Sequence, residues 1–236
     1  MFRVQKLLSN YGHCSRRQAE QLIKEGKVLV NNKLVSLGDK VSEDDKICVD
    51  GKPIKRQAKV YLMFNKPLGC VTASKDKKFR TVMDYIKTRQ RVFPVGRLDY
   101  STSGLLLLTN DGDFANNVMH PRYGIKKTYL VEIDKPIRER EIRLVESGIH
   151  LEDGKTSPAK VKKQSPLLLE VVIHEGKKRI IRRIFEKLGF KVKSLKRIKI
   201  GGLNLGNLKP GEYTFLSESD KQKIGGHNTN FLDKDR

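Results

Sequence analysis

The chain has 236 residues, with 49 Lys and Arg against 27 Asp and Glu, a formal net charge of +22. Charged residues make up 32% and apolar residues 37%, a balance that excludes a collagen, a coiled coil and a disulfide-rich secreted domain. No apolar run approaches the length of a membrane span. So large a cationic excess points to a polyanionic partner, nucleic acid ahead of anionic membrane, because Lys and Arg release the counterions condensed on phosphate backbones.

The first 56 residues carry 12 basic and 7 acidic residues, net +5. The start Met1-Phe2-Arg3-Val4 has no apolar signal region, so a cytoplasmic protein is expected. Val4, Leu7 and Leu8 lie at helical spacing. Ser15 opens a second helix with Gln18 as its capping-box partner, and Gly26 ends it. Short strands are expected at 28–30 and 33–35 around the turn-prone Asn31-Asn32, then at 46–49 before Asp50-Gly51. Arg17 and Lys24 stand two helical turns apart and share a face; with Arg16, Lys27 and Lys33 they form a candidate RNA-binding set. Residues 52–59 carry four cations and a proline and read as a linker.

From residue 57 onward the chain has net +17. Strands are expected at 60–64, 104–109, 128–133, 167–173, 192–200 and 213–216. Helices are expected at 81–87, 113–120, 137–147 and 179–188. This order is unlike strict β-α alternation and indicates an α+β fold with a mixed sheet. The polar stretch from 220 to 236 reads as a tail without fixed structure.

Three segments could carry chemistry. Residues 177–199 hold eleven Lys and Arg and a single acid, Glu186. Ile180, Ile181, Ile184, Phe185 and Leu188 give that run one apolar helical face, so Arg179, Arg182, Arg183 and Lys187 cannot all share it. A phosphate-tracking surface is favoured over a merely solvated one. The second segment, Gly96-Arg97-Leu98-Asp99-Tyr100-Ser101-Thr102-Ser103-Gly104, is a small-residue loop ahead of an apolar strand. Its Asp99 could be a nucleophile, a general base, a metal ligand or only a turn-capping residue. The third, Asn110-Asp111-Gly112-Asp113, partly resembles a calcium loop. The twelve-residue frame from Asp111 ends at Arg122 rather than Glu, so a turn with Asp113 as N-cap is expected. Cys14, Cys48 and Cys70 are odd in number and far apart, and read as reduced thiols without metal. There is no phosphate-binding glycine motif, so no nucleotide cofactor is signalled.

Gly96-Arg97-Leu98-Asp99-x-x-Thr102-Ser103-Gly104-Leu105-Leu106 resembles the signature of the RsuA/RluB-like ribosomal RNA pseudouridine synthases. Lys126-Lys127-Thr128-Tyr129-Leu130-Val131, Glu175-Gly176-Lys177-Lys178-Arg179-Ile180-Ile181-Arg182-Arg183, and Gly201-Gly202-Leu203 with Pro210-Gly211-Glu212-Tyr213 follow in the family's order. Residues 1–56 resemble the RNA-binding domain of small-subunit ribosomal protein four. The resemblance implies an RNA-binding domain at 1–56, a catalytic domain at 57–219 with a large, mainly antiparallel sheet flanked by helices, and a tail at 220–236.

It also implies a reaction. A uridine in ribosomal RNA is detached at its glycosidic nitrogen, turned over and rejoined through carbon five, with no cofactor or metal. Asp99 is then the nucleophile, on the ribose or on the ring. Tyr129 packs on the base, Arg182 pairs with Asp99, Arg97 fills the space of the flipped base, and Lys127 contacts substrate. Arg179 and Arg183 join the RNA-binding set. Ile180 departs from the polar residue common at its position. The large subunit is favoured over the small through Ser15-Arg16-Arg17 and Leu151-Glu152-Asp153-Gly154, and a monomer is expected. Two other readings are a non-catalytic ribosome-binding protein on the same scaffold and a metal-dependent nuclease using Asp99, Asp111 and Asp113.

Overall fold

A computed structural model describes residues 1–225. The expected disorder of 226–236 lies outside the described residues. The chain forms two compact units. The first comprises Met1–Tyr61 with Thr88–Phe93 and Thr109–Gly112; the second comprises the remainder.

In the first unit, helices Val4–Asn10 and Arg16–Lys24 pack on a four-stranded sheet ordered Lys33–Leu34, Val28–Val30, Ile47–Val49, Lys52–Pro53. The capping box forms as expected. Ser15 Oγ accepts from the Gln18 amide at 3.2 Å, and the Ser15 amide donates to Gln18 Oε1 at 3.0 Å. Asn31 and Asn32 both adopt positive φ, 49° and 65°, the requirement of a tight two-residue hairpin. Leu7, Leu8, Ala19 and Val28 are fully buried, each larger side chain contributing about 1.5–3 kcal/mol of burial.

The expected linker is not free chain. Lys52–Pro53 pairs with Cys48–Val49. Further on, Asn110 clamps the segment, its Oδ1 accepting from the Val60 amide and its Nδ2 donating to the Ala58 carbonyl. Strands Phe2–Arg3 and Lys40–Val41, which pair with each other, are too short to show as sequence periodicity.

The second unit is built on one mixed sheet. Its path runs Lys160–Lys163, Leu168–Ile173, Lys127–Ile133, Val192–Ile200, Ser103–Thr109, Tyr61–Lys66, Tyr213–Phe215. Leu105, Leu106, Leu107 and Leu108 are all fully buried, the mark of a strand covered on both faces. Helices Glu139–Ser147 and Ile180–Lys187 bury Ile142, Val145, Ile181, Ile184 and Phe185 in the cluster with Val131, Leu169 and Val171.

Four expectations change here. The helix expected at 81–87 is a single 3₁₀ turn, Val82–Tyr85. Helix Gly112–Met119 begins one residue early, so Asp113 lies in its first turn and is not the N-cap. A hairpin, His150–Leu151 with Gly154–Lys155, was not expected. Finally, Glu218–Gly225 is a helix, so residues 220–225 are not tail. Its end rests against Gly201, where a Cβ would lie 2.1 Å from the Ile224 carbonyl oxygen, and the Gly202 amide donates to the Lys223 carbonyl. Among the described residues no helix is long and apolar enough to cross a membrane.

Ser103–Thr109 and Val192–Ile200 pair in parallel, with Ser103 opposite Lys196 and Gly104 opposite Arg197. Gly104 has φ +104°, and a Cβ there would lie 2.2 Å from the Arg197 carbonyl oxygen. Any side chain must part the two strands. Gly104→Ala is therefore expected to cost about 3 kcal/mol or more, lowering the melting temperature by roughly 6–12 °C. Calorimetry showing a shift below about 2 °C would contradict this close approach.

Candidate active site

A cleft of ≈ 700 Å³ opens in the second unit, lined among others by Arg97, Asp99, Lys127, Tyr129, Arg179 and Arg197. Strand register explains this grouping. Lys127 and Tyr129 are two apart on Lys127–Ile133 and so share a face. On the neighbouring strand, Thr128 pairs with Lys199 but Tyr129 pairs with Arg197, leaving Ile198 as the extra residue of a bulge. Without it Tyr129 would face Ile198. The bulge turns Arg197 onto the cleft side instead.

Asp99 stands on a loop fixed from behind. Thr72 Oγ1 donates to the Leu98 carbonyl at 2.7 Å and accepts from the Leu98 amide at 3.2 Å. The Gly69 amide donates to the Tyr100 carbonyl at 3.1 Å. Arg182 Nη2 donates to the Ser101 carbonyl at 2.7 Å, and Lys66 Nζ donates to the Thr102 carbonyl at 2.9 Å. The Thr102 amide closes a turn onto the Asp99 carbonyl at 3.0 Å. Carbonyls on both sides of Asp99 are thus occupied by donors, and its partly exposed carboxylate lines the cleft wall.

The expected Arg182–Asp99 ion pair takes another form. Arg182 is buried, and its two terminal nitrogens go to the carbonyls of Ser101 and Val192. Among the described residues it makes no ion pair with Asp99. It acts on Asp99 through space: burial and Arg179 work against the Arg182 charge, while Asp99 and Glu186 support it. Lys66, fully buried, behaves alike. Burial pulls its ammonium pKa down, opposed by Cys70 and Asp99. Lys66 and Arg197 were both missed from sequence. The signal for Lys66 is a cation before Pro67, separated from the apolar run 62–64 only by Asn65. Arg197 has no comparable signal, because only the bulge decides its face.

Arg197 is 5% exposed. Its Nε donates to the Leu105 carbonyl at 2.7 Å, its Nη1 reaches the Tyr129 hydroxyl at 3.5 Å, and its guanidinium carbon lies 6.0 Å from the Tyr129 ring centre. Lys127 is pushed down to about 8, first by burial and then by the charge of Arg197.

The other expected residues divide. Arg97 and Arg179 are exposed on the cleft, and Arg179 sits in the left-handed region at φ 51° ahead of helix Ile180–Lys187. Arg183 instead forms a two-pronged pair with Asp153 at 2.8 and 3.0 Å, which commits its charge within the protein. Ile180 is buried in the core, where a polar side chain would need a partner. Arg16, Arg17, Lys24, Lys27 and Lys33 are exposed on the first unit, with Lys27 paired to Glu25 at 2.7 Å. Asp111 accepts from the Tyr61 hydroxyl at 2.7 Å and pairs with Lys59 at 3.2 Å. Among the described residues no three His, Cys, Asp or Glu side chains are grouped to hold a metal ion, so the nuclease reading lacks its ligand cluster.

The Lys127 ammonium loses its proton near pH 8, whereas in an unfolded chain it would keep it to about 10.4. Burial of the charged form therefore destabilises the fold fully below about pH 8, and this penalty disappears as the pH rises towards 10.4. If Lys127 holds RNA through its charge, affinity falls between about pH 7 and pH 9. Lys127→Arg should keep affinity flat over that range in a filter-binding titration; an identical fall in both proteins would remove Lys127 from the contact.

The RNA pseudouridylate synthase family matches residues 60–187, and the S4 domain matches residues 2–47. The chain is 47% identical over 234 residues to ribosomal large subunit pseudouridine synthase B of Bacillus subtilis, covering 95% of this chain and 96% of the relative. It is 37% identical over 221 residues to the dual-specificity RNA pseudouridine synthase RluF of Escherichia coli, covering 92% and 76%. A crystal structure of a pseudouridylate synthase superposes with a TM-score of 0.72 at 32% identity, covering 95% of this chain and 100% of that one.

Proposed function

The chain belongs to the RNA pseudouridylate synthase family, and from that premise we propose that it isomerises a uridine of large-subunit ribosomal RNA by base flipping, with Asp99 as nucleophile. The observation that carries this reading is the fixed Asp99 carboxylate on the cleft wall, with Tyr129 lining the same cleft and the buried cations Lys66 and Arg182 within Coulombic reach. Ribosomal RNA as substrate is supported by the relatives' activities and by the S4 domain. The large subunit is favoured by the 47% identical relative.

The chemistry follows from what these groups can do. A stacked base offers neither its glycosidic bond nor its C5 to a side chain, so it must leave the helix, at a cost of a few kcal/mol. The exposed Arg97 guanidinium at the cleft mouth takes the vacated space. With attack on the ribose, Asp99 bonds to C1′ as the N1–C1′ bond breaks, the detached uracil anion turns, and C5 attacks C1′ and displaces the Asp99 carboxylate. The C5 proton is then lost and N1 ends protonated, so atoms and charge balance without a co-reactant. Covalent attachment splits one high barrier into two lower ones. Tyr129, held near Arg197, packs on the ring and can receive the C5 proton. Lys66 and Arg182 fix the loop through hydrogen bonds to its carbonyls, which keeps the Asp99 oxygens free to attack.

Asp99→Asn is expected to lower the rate by on the order of 10⁴-fold while leaving RNA affinity within about twofold. Tritium release from ribosomal RNA labelled at uridine C5, in the presence of chelator, measures the first; equilibrium binding measures the second. Residual turnover near wild type in that variant would remove Asp99 as nucleophile.

Replacing Arg16 and Arg17 together by Ala should lower kcat/KM by about tenfold with kcat little changed, and should reduce the salt slope of binding by about two. A fall confined to kcat would show that the first unit does not capture substrate.

A further inference from the structure

Beside the cleft, the second unit carries two aromatic rings that no core contact explains. Phe79 is 49% exposed and Tyr100 is 48% exposed. Their rings meet edge to face, centres 5.2 Å apart and planes at 60°, so ring face remains open to solvent. Both backbones are fixed. The Lys78 and Phe79 amides donate to Asp76 Oδ1 at 2.9 Å each, and the Val71 amide donates to the Arg80 carbonyl at 2.9 Å. Tyr100 is held by Gly69 and directly follows Asp99. An exposed ring pair on rigid backbone is a costly arrangement for a protein surface alone, since apolar surface left in water gains nothing from folding.

Its surroundings define the partner. Lys75, Lys77 and Lys78 are exposed and form no ion pair among the described residues. The loop's only acid, Asp76, is occupied by its two amide donors, and Arg80 lies over Tyr85 at 4.5 Å. Protein interfaces are depleted in Lys at their centres. Aromatic faces interleaved with free Lys are the arrangement that holds unpaired nucleotides, with rings stacking on bases and ammonium groups on phosphates. Flipping a uridine also strips its neighbours of a stacking partner, and a ring beside Asp99 can replace it.

We propose that Phe79 and Tyr100 form a stacking platform for an unpaired nucleobase adjacent to the target uridine, with Lys75, Lys77 and Lys78 on the flanking phosphates. Its adjacency to the target rests on Asp99 being the reacting group; the platform itself does not.

The chain contains no tryptophan, so Phe79→Trp installs a single fluorescent reporter on the platform. A single-stranded oligoribonucleotide of about ten nucleotides should quench it, and an abasic strand of equal length and charge should not. Phe79→Ala should weaken binding of the same oligoribonucleotide by about tenfold with an unchanged salt slope, and Phe79→Tyr should restore it. Equal quenching by both strands, an unchanged affinity in Phe79→Ala, or quenching only by phosphatidylserine vesicles would each overturn the platform. Repeating the titration in Phe79→Trp with Asp99→Asn separates the two readings. Base-dependent quenching there supports the platform whatever the variant's turnover, whereas retained turnover overturns the role of Asp99 alone.

Discussion

Two buried cations donate to two consecutive backbone carbonyls, and the position of Asp99 follows from that. Lys66 and Arg182 are removed from water yet spend their hydrogen bonds on Thr102, Ser101 and other carbonyls. Carbonyl dipoles take the Lys66 ammonium and the terminal nitrogens of Arg182 but leave the net charges uncancelled. An uncompensated buried charge is costly, and Asp99 is a carboxylate that offsets both. The cations hold the loop by hydrogen bonding, and its carboxylate in turn supports their charges. A direct ion pair would have tied the Asp99 oxygens to Arg182. Through-space compensation keeps them free for substrate.

The sheet supplies the other half of the site by geometry rather than charge. Parallel pairing across Gly104 places Arg197 against Leu105, and a single-residue bulge at Ile198 aims it at Tyr129. Arg197 then raises the cost of protonating Lys127. Three strands far apart in sequence thus contribute one electrostatic environment, and the close strand approach needed for it admits only glycine at position 104.

Most of the elements were legible in the sequence because their causes are local. The Ser15–Gln18 capping box, the Asn31-Asn32 turn and the Leu105–Leu108 run each announce themselves within a few residues. Asp99, Tyr129 and Arg182 were legible through a family signature and not through spacing. What escaped depends on partners remote in the chain. Lys66 reads as the polar end of a strand until Thr102 covers it, and Arg197 reads as one more cation in a basic run until the bulge sets its face. Arg183 shows the converse: a plausible phosphate ligand by sequence, it is taken by Asp153, thirty residues away. Residues 220–225 looked like tail because their composition is polar, yet a helix forms there and buries Ile224 against the Gly201 region.

The topology has a consequence for the order in which the molecule can be completed. Strand Val192–Ile200 lies between Lys127–Ile133 and Ser103–Thr109, and Tyr213–Phe215 closes the far edge on Tyr61–Lys66. As a ribosome makes the chain, both inner strands emerge before their shared neighbour exists. The loop that carries Asp99 can meet Arg182 and Arg197 only in the last quarter of synthesis. Such distant pairings make for slow folding, so the nascent protein carries exposed strand edges for most of its translation. The four-stranded sheet of the first unit, complete by Pro53, can form long before the second unit's sheet.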